Sequence, residues 1–412
     1  MGSVAVIGAG VSGLTAAHYL SRKHEVTLFE ASDYLGGHTD THDIKVDNKA
    51  ISVDTGFIVF NDRTYPNFIK LLDELGCRYL PTEMSFSIKA SRLNLEYNGH
   101  NLNSLFAQRS NLFRPSFLKM VNDILRFNRE APGCLKDELN LTIGEYLRAK
   151  GYSHEFQNHY LLPMAAAIWS TGSKPVRQFP VKSLVRFFDH HGLLSIRNRP
   201  QWFVLEGGSR SYVDRLRQRL ARVRLSTPVH KIVRDRNAVT VQGIGFAQSF
   251  DQVVIATHSD QALALLEDPT PREQAILGDI HYTPNKVTLH SDESVLPTRS
   301  LARASWNYNL DGPEGSASLT YDMNRLQHLD TKKPVLVTLN DRGSIDPKKV
   351  IKELHYAHPF FDHRMLAAQE RHDEISGMNR THYAGAYWRN GFHEDGVVSA
   401  LKVCKALGVR TC

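Results

Sequence analysis

Residues 4–20, VAVIGAGVSGLTAAHYL, constrain the fold more than any other stretch of the chain. Four apolar residues read as a short buried strand, a glycine-rich turn comes next, and Leu14, Ala17 and Leu20 then recur at helical spacing. The turn, Gly8-Ala9-Gly10-Val11-Ser12-Gly13, fits G-x-G-x-x-G at the point where a strand hands over to a helix. Gly8 permits the tight turn, Gly10 lets backbone approach a pyrophosphate, and Gly13 lets helix and strand pack closely. The free N–H groups at the helix start make an anion site. A second strand is expected over residues 25–30, ending in Glu30, where a carboxylate accepts hydrogen bonds from a ribose and disfavours a 2′-phosphate.

The residues after Glu30 separate one dinucleotide from another. Ala31 and a polar stretch lead to Gly36-Gly37-His38-Thr39, a second glycine pair that NAD does not require but a pyrophosphate approached from its far side does. From residue 4 to residue 41 the chain resembles the N-terminal fingerprint of the flavin-containing amine oxidase and phytoene desaturase superfamily, in which an alanine (here Ala17), an acid and G-G-R followed by threonine come after the first turn. His38 departs from that pattern: arginine would offer phosphate a bidentate fork, histidine one weaker, pH-sensitive donor.

The resemblance continues along the chain. In the D-x-G stretch of residues 53–58, Asp54 is expected to fix a loop, and Gly56 and Phe57 to bring backbone N–H groups near a flavin ring. A strand over residues 228–233 offers Val229 to adenine, and the buried strand of residues 250–257 closes near the cofactor at Ala256 and Thr257. Tyr383-Ala384-Gly385 resembles the family's C-terminal strand end, and a helix is expected over residues 397–407 after a loop at 391–396. The resemblance implies that Glu394 or Asp395 caps this helix or contacts ribityl hydroxyls, with Gly396 and Val397 presenting the helix start to the flavin. The cofactor implied is FAD. The fold implied is α/β: a Rossmann-like FAD-binding domain (residues 1–65, 201–262 and 371–412) with an inserted α+β substrate domain (66–200 and 263–370).

The substrate is less legible. Residues 115–129 form an amphipathic helix, with Phe117, Leu118, Val121, Ile124 and Leu125 on its apolar face and Lys119, Asn122, Arg126 and Arg129 opposite; such a helix packs on its own core or lies on a membrane. A second helix is expected over residues 180–191, between Pro180 and Gly192. Leu193, Leu194, Pro200, Trp202 and Phe203 come after it as a candidate wall of an apolar tunnel, and residues 161–172, LLPMAAAIWSTG, are expected to border the same cavity. The stretches AAAIWS, FFDHHGLL, RPQW and GGSRSYV look most like a bacterial branch of NAD/FAD-binding proteins often encoded beside cyclopropane-fatty-acyl-phospholipid synthases. That implies an FAD-dependent oxidoreductase moving a hydride from a substrate C–H to flavin N5, with a fatty-acyl or phospholipid substrate, in particular desaturation of a methylated or cyclopropanated chain. A lipid-modifying enzyme of methyltransferase type is then an expected partner. An amine oxidase releasing hydrogen peroxide is the alternative, with Tyr387 and Trp388 as its aromatics; a non-catalytic flavoprotein or redox sensor is another. No motif marks a base; His159, His190 and Trp388 are candidates by position alone.

Composition narrows the remaining classes. With 42% apolar and 23% charged residues among 412, an ordinary folded chain is expected. The net charge of +7 suits an acidic ligand or an anionic membrane surface, while nucleic acid is excluded by the lack of basic blocks or RNA- or DNA-binding motifs. Cys77, Cys134, Cys404 and Cys412 are far apart and read as reduced thiols. The start lacks the regions of a signal peptide, so a cytoplasmic protein, peripheral at most on the inner membrane face, is expected. Despite 20 histidines, no H-E-x-x-H or zinc spacing occurs, and no metal is expected.

Overall fold

The computed structural model describes residues 2–137, 140–169, 173–195, 199–311 and 318–410. Strand β1 (Ser3–Ile7), helix α1 (Val11–Leu20) and strand β2 (Glu25–Phe29) form the unit expected from the glycine turn. Three further strands join it: β3 (Val223–Arg224), β4 (Gln252–Ile255) and β5 (Thr381–Tyr383). Their order is β3-β2-β1-β4-β5 and every pairing is parallel. The chain therefore moves outward one way from β1 to β2 and returns on the other side at β4. That reversal opens a crevice beyond the carboxyl ends of β1 and β4, where doubly wound sheets bind their ligands.

Both faces of this sheet are covered, so its strands read as continuous apolar runs. Helix α1 is buried from Ser12 to Leu20 because it lies between the sheet and helix α5 (His393–Ala406). Their contact is close: a Cβ on Gly396 would come within 2.6 Å of Val11 Cγ1. On the other face lies the antiparallel meander of residues 229–250, where Phe246 stacks on Phe29 at 5.6 Å. Helix α2 (Pro66–Leu75) shares a core cluster with β1, α1 and α5 through Phe68, Leu71, Leu72 and Leu75.

The second large sheet runs, edge to edge, through Val350–Pro359, Tyr282–His290, Leu336–Leu339, Ser318–Asp322, Trp306–Asn309, Phe86–Ala90 and Leu95–Asn98. Its pairings are antiparallel except that Trp306–Asn309 runs parallel to Phe86–Ala90. Helix α3 (Pro115–Glu130) sets Phe117 edge-on against Tyr97 of the sheet's last strand at 5.5 Å, and helix α4 (Val181–His190) packs through Phe187 on Trp169 and Phe392. Helix α4 ends as expected, with Gly192 at φ +67° just past its last turn. The face of α3 differs from the sequence expectation. Phe117, Met120, Asp123 and Phe127 are buried, whereas Leu118 and Leu125 point outward. An i, i+3, i+6, i+10 row through Phe117 covers the core, and Leu118 and Leu125 lie outside it.

Candidate functional site

The glycine turn is built as its sequence requires. Gly8 sits at φ +94°, where a Cβ would meet Ala256 O at 3.0 Å, and a Cβ on Gly13 would lie 1.8 Å from Gly8 O. Around Gly10 there is nothing within 4 Å of such an atom, so its backbone faces open space. No side chain caps α1 and no acid occupies its first turn, which leaves its first amides available to an anion. Gly36 donates to Ala9 O at 2.9 Å, and Gly37 brings its backbone against Gly10. The second glycine pair thus braces the first turn. Glu30, at the end of β2, accepts from Ala9 N at 2.8 Å and from Ser32 N at 2.9 Å.

One cavity of about 840 Å³ begins at this turn and runs between the two sheets. That volume lies within the range of cofactor and ligand sites. It gathers Gly8, Ala9, Gly10, Val11, Ser12, Glu30, Ala31, Gly36, Gly37, His38, Gly56, Phe57, Val229, Ala256, Thr257 and Gly385 on its walls. These include the carboxyl ends of β1, β2, β4 and β5, as the crevice rule requires.

The other expected residues stand behind that wall. Gly13 and Gly396 set helix packing. Thr39 bonds Tyr212 Oη and His393 Nε2 at 2.7 and 2.9 Å. Asp54 is fully buried and binds protein alone: its carboxylate accepts from Thr41 Oγ1, Ser209 N, Ser209 Oγ and Gln327 Nε2 within 3.0 Å. Burial still pushes its carboxyl up to about 6. Glu394 is turned away from the cavity; it accepts from Asn67 N, Asn67 Nδ2 and Phe68 N and so caps α2. Asp395 accepts from Phe392 N and caps its own helix α5. Val397 is buried in the core with α1. The helix starts earlier than the apolar pattern suggested, at His393, so the two acids fall inside its first turn.

None of the three base candidates lines the cavity. His190 is exposed in the last turn of α4, His159 sits in the π-turn Gln157–Leu161, and Trp388 packs edge-on against His372 at 4.4 Å. Tyr387 does line the cavity, but its ring is tilted 44° to Trp388, so this pair forms no facing aromatic cage.

Sequence reasoning missed His191, His258, His358 and His393, all of which line the cavity. His191 lies flat on Phe187 at 3.8 Å, and its Nδ1–H donates to Phe187 O at 2.9 Å. Its Nε2 therefore carries the free lone pair. His258 and His358 surround His38 at ring distances of 5.9 and 5.3 Å, and His38 Nε2 is buried without a partner. Burial and mutual repulsion push His38 down to about 3, and burial pushes His358 and His191 down to about 4, so all three are neutral near pH 7. The tell-tale signal was the replaced arginine at 38, which requires other donors nearby. Among the described residues no group of histidine, cysteine or acid side chains is arranged to hold a metal.

The far part of the cavity is apolar. Met164, Trp169, Phe187, Trp202, Trp306 and Phe361 are among its walls, and Leu193 and Pro200 join them as expected. Leu194 and Phe203 do not line it; Phe203 packs on Phe60 and Tyr79. Residues 170–172 of the expected border segment lie outside the described residues, as does Cys412, while the other three cysteines are buried free thiols. Among the described lining residues Glu30 is the only acid and Arg199, which is solvent-exposed, the only lysine or arginine.

The family model for flavin-containing amine oxidoreductases matches residues 11–339. The chain belongs to that family. It is an FAD-dependent oxidoreductase, and the open glycine turn, uncapped helix start and buried partnerless His38 Nε2 fit that cofactor. Solved structures share the fold over almost their whole length. A fatty acid isomerase from P. acnes aligns with a TM-score of 0.72 at 15% identity, covering 98% of each chain. Cyclohexylamine oxidase from Brevibacterium oxydans aligns at 0.72 and 15%, covering 99% of each, and putrescine oxidase bound to putrescine at 0.70 and 17%, also 99% of each. No curated protein matches the sequence.

Proposed function

We propose that this oxidoreductase removes a hydride from a C–H bond of a fatty-acyl or phospholipid chain, desaturating a methylated or cyclopropanated acyl group. One fold carries both fatty-acid and amine chemistry among the solved structures, so the lining must choose between them. The observation that supports the lipid reading is the charge of that lining: beyond the glycine turn it is mainly aromatic and aliphatic, its ionisable side chains there are histidines, tyrosines and Arg199, and no carboxylate is among its described residues. An ammonium substrate entering such a cavity would lose its hydration without a counter-charge, at a cost of several kcal/mol or more. An acyl chain gains roughly 0.8 kcal/mol for each CH₂ buried there.

FAD, when bound, supplies the two-electron acceptor at its isoalloxazine ring. In this reading the chain's residues divide the work. The amides at the start of α1 and the backbone of Gly10 and Gly37 receive the pyrophosphate, and Glu30 receives the ribose. Val229 would meet the adenine, and Gly56 and Phe57, which line the same cavity, would hold the flavin. The apolar wall orients the acyl chain and excludes water. His191 replaces His190 as the group that can accept a proton, since its Nε2 lone pair is unused. A cytoplasmic enzyme touching the membrane surface, working beside a methyltransferase-type lipid enzyme, completes the reading.

The test is anaerobic mixing of the FAD-loaded protein with acyl phospholipids, free fatty acids and a panel of amines. Loss of the yellow colour with acyl compounds, and an altered acyl mass profile in a deletion strain, are expected. Peroxide release with amines and an unchanged lipid profile would overturn it.

A further inference from the structure

The outward side of α3 and the segments before it carry an unusual concentration of exposed apolar residues. Phe113 is 87% exposed and Leu102 75%, and Leu93, Leu112, Leu118 and Leu125 join them. They share one surface. The Arg114 guanidinium donates to Leu93 O and Asn94 O, and Arg109 donates to Asn103 O and Phe106 O, tying residues 93–94, 103–106 and 109–114 together. Leu118 and Leu125, seven apart and both exposed, share one face of α3, the helix that starts directly after Arg114.

Its charge is one-sided. From residue 97 to residue 122 the sequence contains Arg109, Arg114 and Lys119 and no aspartate or glutamate. The next acid, Asp123, is buried, where it accepts from Ser153 N and pairs with Arg126. Asp311, which accepts from Arg92 N, and Glu130, which pairs with Arg126 and Arg129, lie only at the two ends of the surface. An apolar surface whose central segment carries cations and no acid matches the interface of a bilayer with anionic headgroups, not a neutral or basic protein surface.

Position adds a second argument. Phe117, on the inner side of α3, packs edge-on against Tyr97 at 5.5 Å, and Tyr97 Oη donates to His159 O at 2.6 Å in the π-turn Gln157–Leu161. Met164 and Ile168, in the helix that continues this turn, line the cavity. The apolar surface and the cavity are thus joined through this segment.

We propose that this surface docks on a bilayer containing anionic phospholipid, with Leu102 and Phe113 inserted and Arg109, Arg114 and Lys119 at headgroup level. The docked chain sets the cavity beside the lipid, so an acyl chain reaches it without crossing water. The use of the docked state rests on the lipid substrate proposed for the cavity; the docking itself does not.

Co-sedimentation of the FAD-loaded protein with vesicles tests it without any turnover. Native protein is expected to pellet with vesicles of equal parts phosphatidylglycerol and phosphatidylcholine and to stay in solution with phosphatidylcholine alone. The double variant Leu102→Ser/Phe113→Ser should lose at least about tenfold in partitioning. Ile244→Ser, at a residue 84% exposed in the distant 243–246 turn, should lose none. Native protein left in solution with both vesicle types, equal pelleting with both, or a double variant that pellets like the native chain would overturn the proposal. So would a native dimer that the double variant converts to monomer, because a second copy would then cover the surface. Retained yellow colour and unchanged melting show that the variant is folded; partitioning of Lys119→Gln, expected to fall, provides a second reading. Vesicle binding without any lipid oxidation would sink the substrate assignment and leave the docking intact.

Discussion

Replacing Glu30 by alanine separates cofactor binding from stability more cleanly than any other change at the site. The carboxylate stands at the end of β2 with Oε2 on Ala9 N and Oε1 on Ser32 N. It has lone pairs left over for ribose hydroxyls. Hydrogen bonds to a charged acceptor contribute roughly 1.5–3 kcal/mol each. Losing the ribose contact alone should therefore weaken FAD binding by roughly 10- to 150-fold. Of the two backbone donors released, Ser32 N is exposed and Ala9, though buried, lines the cavity, so in the FAD-depleted chain water replaces the carboxylate and the melting point should move little. Glu30→Gln should fall between the two, since its amide keeps one acceptor and turns a donor towards the other N–H. Fluorescence titration of FAD into each variant measures the affinity. An alanine variant that binds FAD within twofold of the native chain would refute the ribose assignment. A variant that lost affinity only because it melted early would refute the division between binding and bracing.

Asp54→Ala should behave in the opposite way. It leaves Ser209 N and Gln327 Nε2 without acceptors in a buried site, at about 1–3 kcal/mol each, so urea unfolding should show a loss of about 2–6 kcal/mol with FAD affinity in the folded fraction little changed. The buried histidines set an acid limit. His38, His191, His290, His358 and His382 lie at about 3 to 4 in the folded chain against an ordinary 6.5, so the folded state holds fewer protons than the unfolded one between those values. Stability is full above pH 6.5 and falls as pH drops through that window, by about 1.4 kcal/mol per pH unit for each histidine, and melting temperatures taken from pH 7 to pH 5 should fall steeply. His38→Arg should hold FAD at least as well as the native chain at pH 8 and remove any weakening between pH 6 and 8, read by FAD release on dilution; the native weakening is limited to about tenfold per pH unit for one proton.

The cofactor end of the site was legible because its chemistry is done by backbone. A strand, a turn that needs glycine and a helix start are local, and local spacing in the sequence reports them. The same logic explains Gly56, where a Cβ would strike His38 O at 2.1 Å. Side chains acting across the fold were not legible. Glu394 was expected to cap its own helix or touch ribityl hydroxyls, and it caps α2, more than three hundred residues earlier in the chain. His190 and His191 are neighbours in sequence, yet the end of α4 sends one to solvent and the other onto Phe187 in the cavity. A helix of period 3.6 separates adjacent residues by about 100°, and only the packing of α4 decides which one turns inward.

His38 shows how a departure from a family pattern becomes interpretable once the fold is known. Taken alone, histidine in place of arginine removes a fixed charge and a bidentate donor from the place where an anion is expected. In the folded chain the position is met by His258, at the end of the β4 turn, and His358, from the edge strand of the second sheet, so three segments remote in sequence converge on it. His358 Nδ1 accepts from Asn285 Nδ2, which leaves its Nε2–H free to donate. Neutral imidazoles can remain buried when no anion is present, where an unpaired guanidinium would be costly. They would take up charge only as an anion arrives. The substitution would then exchange a permanent positive charge for one induced by the ligand, with the pH dependence of FAD retention as its expected consequence.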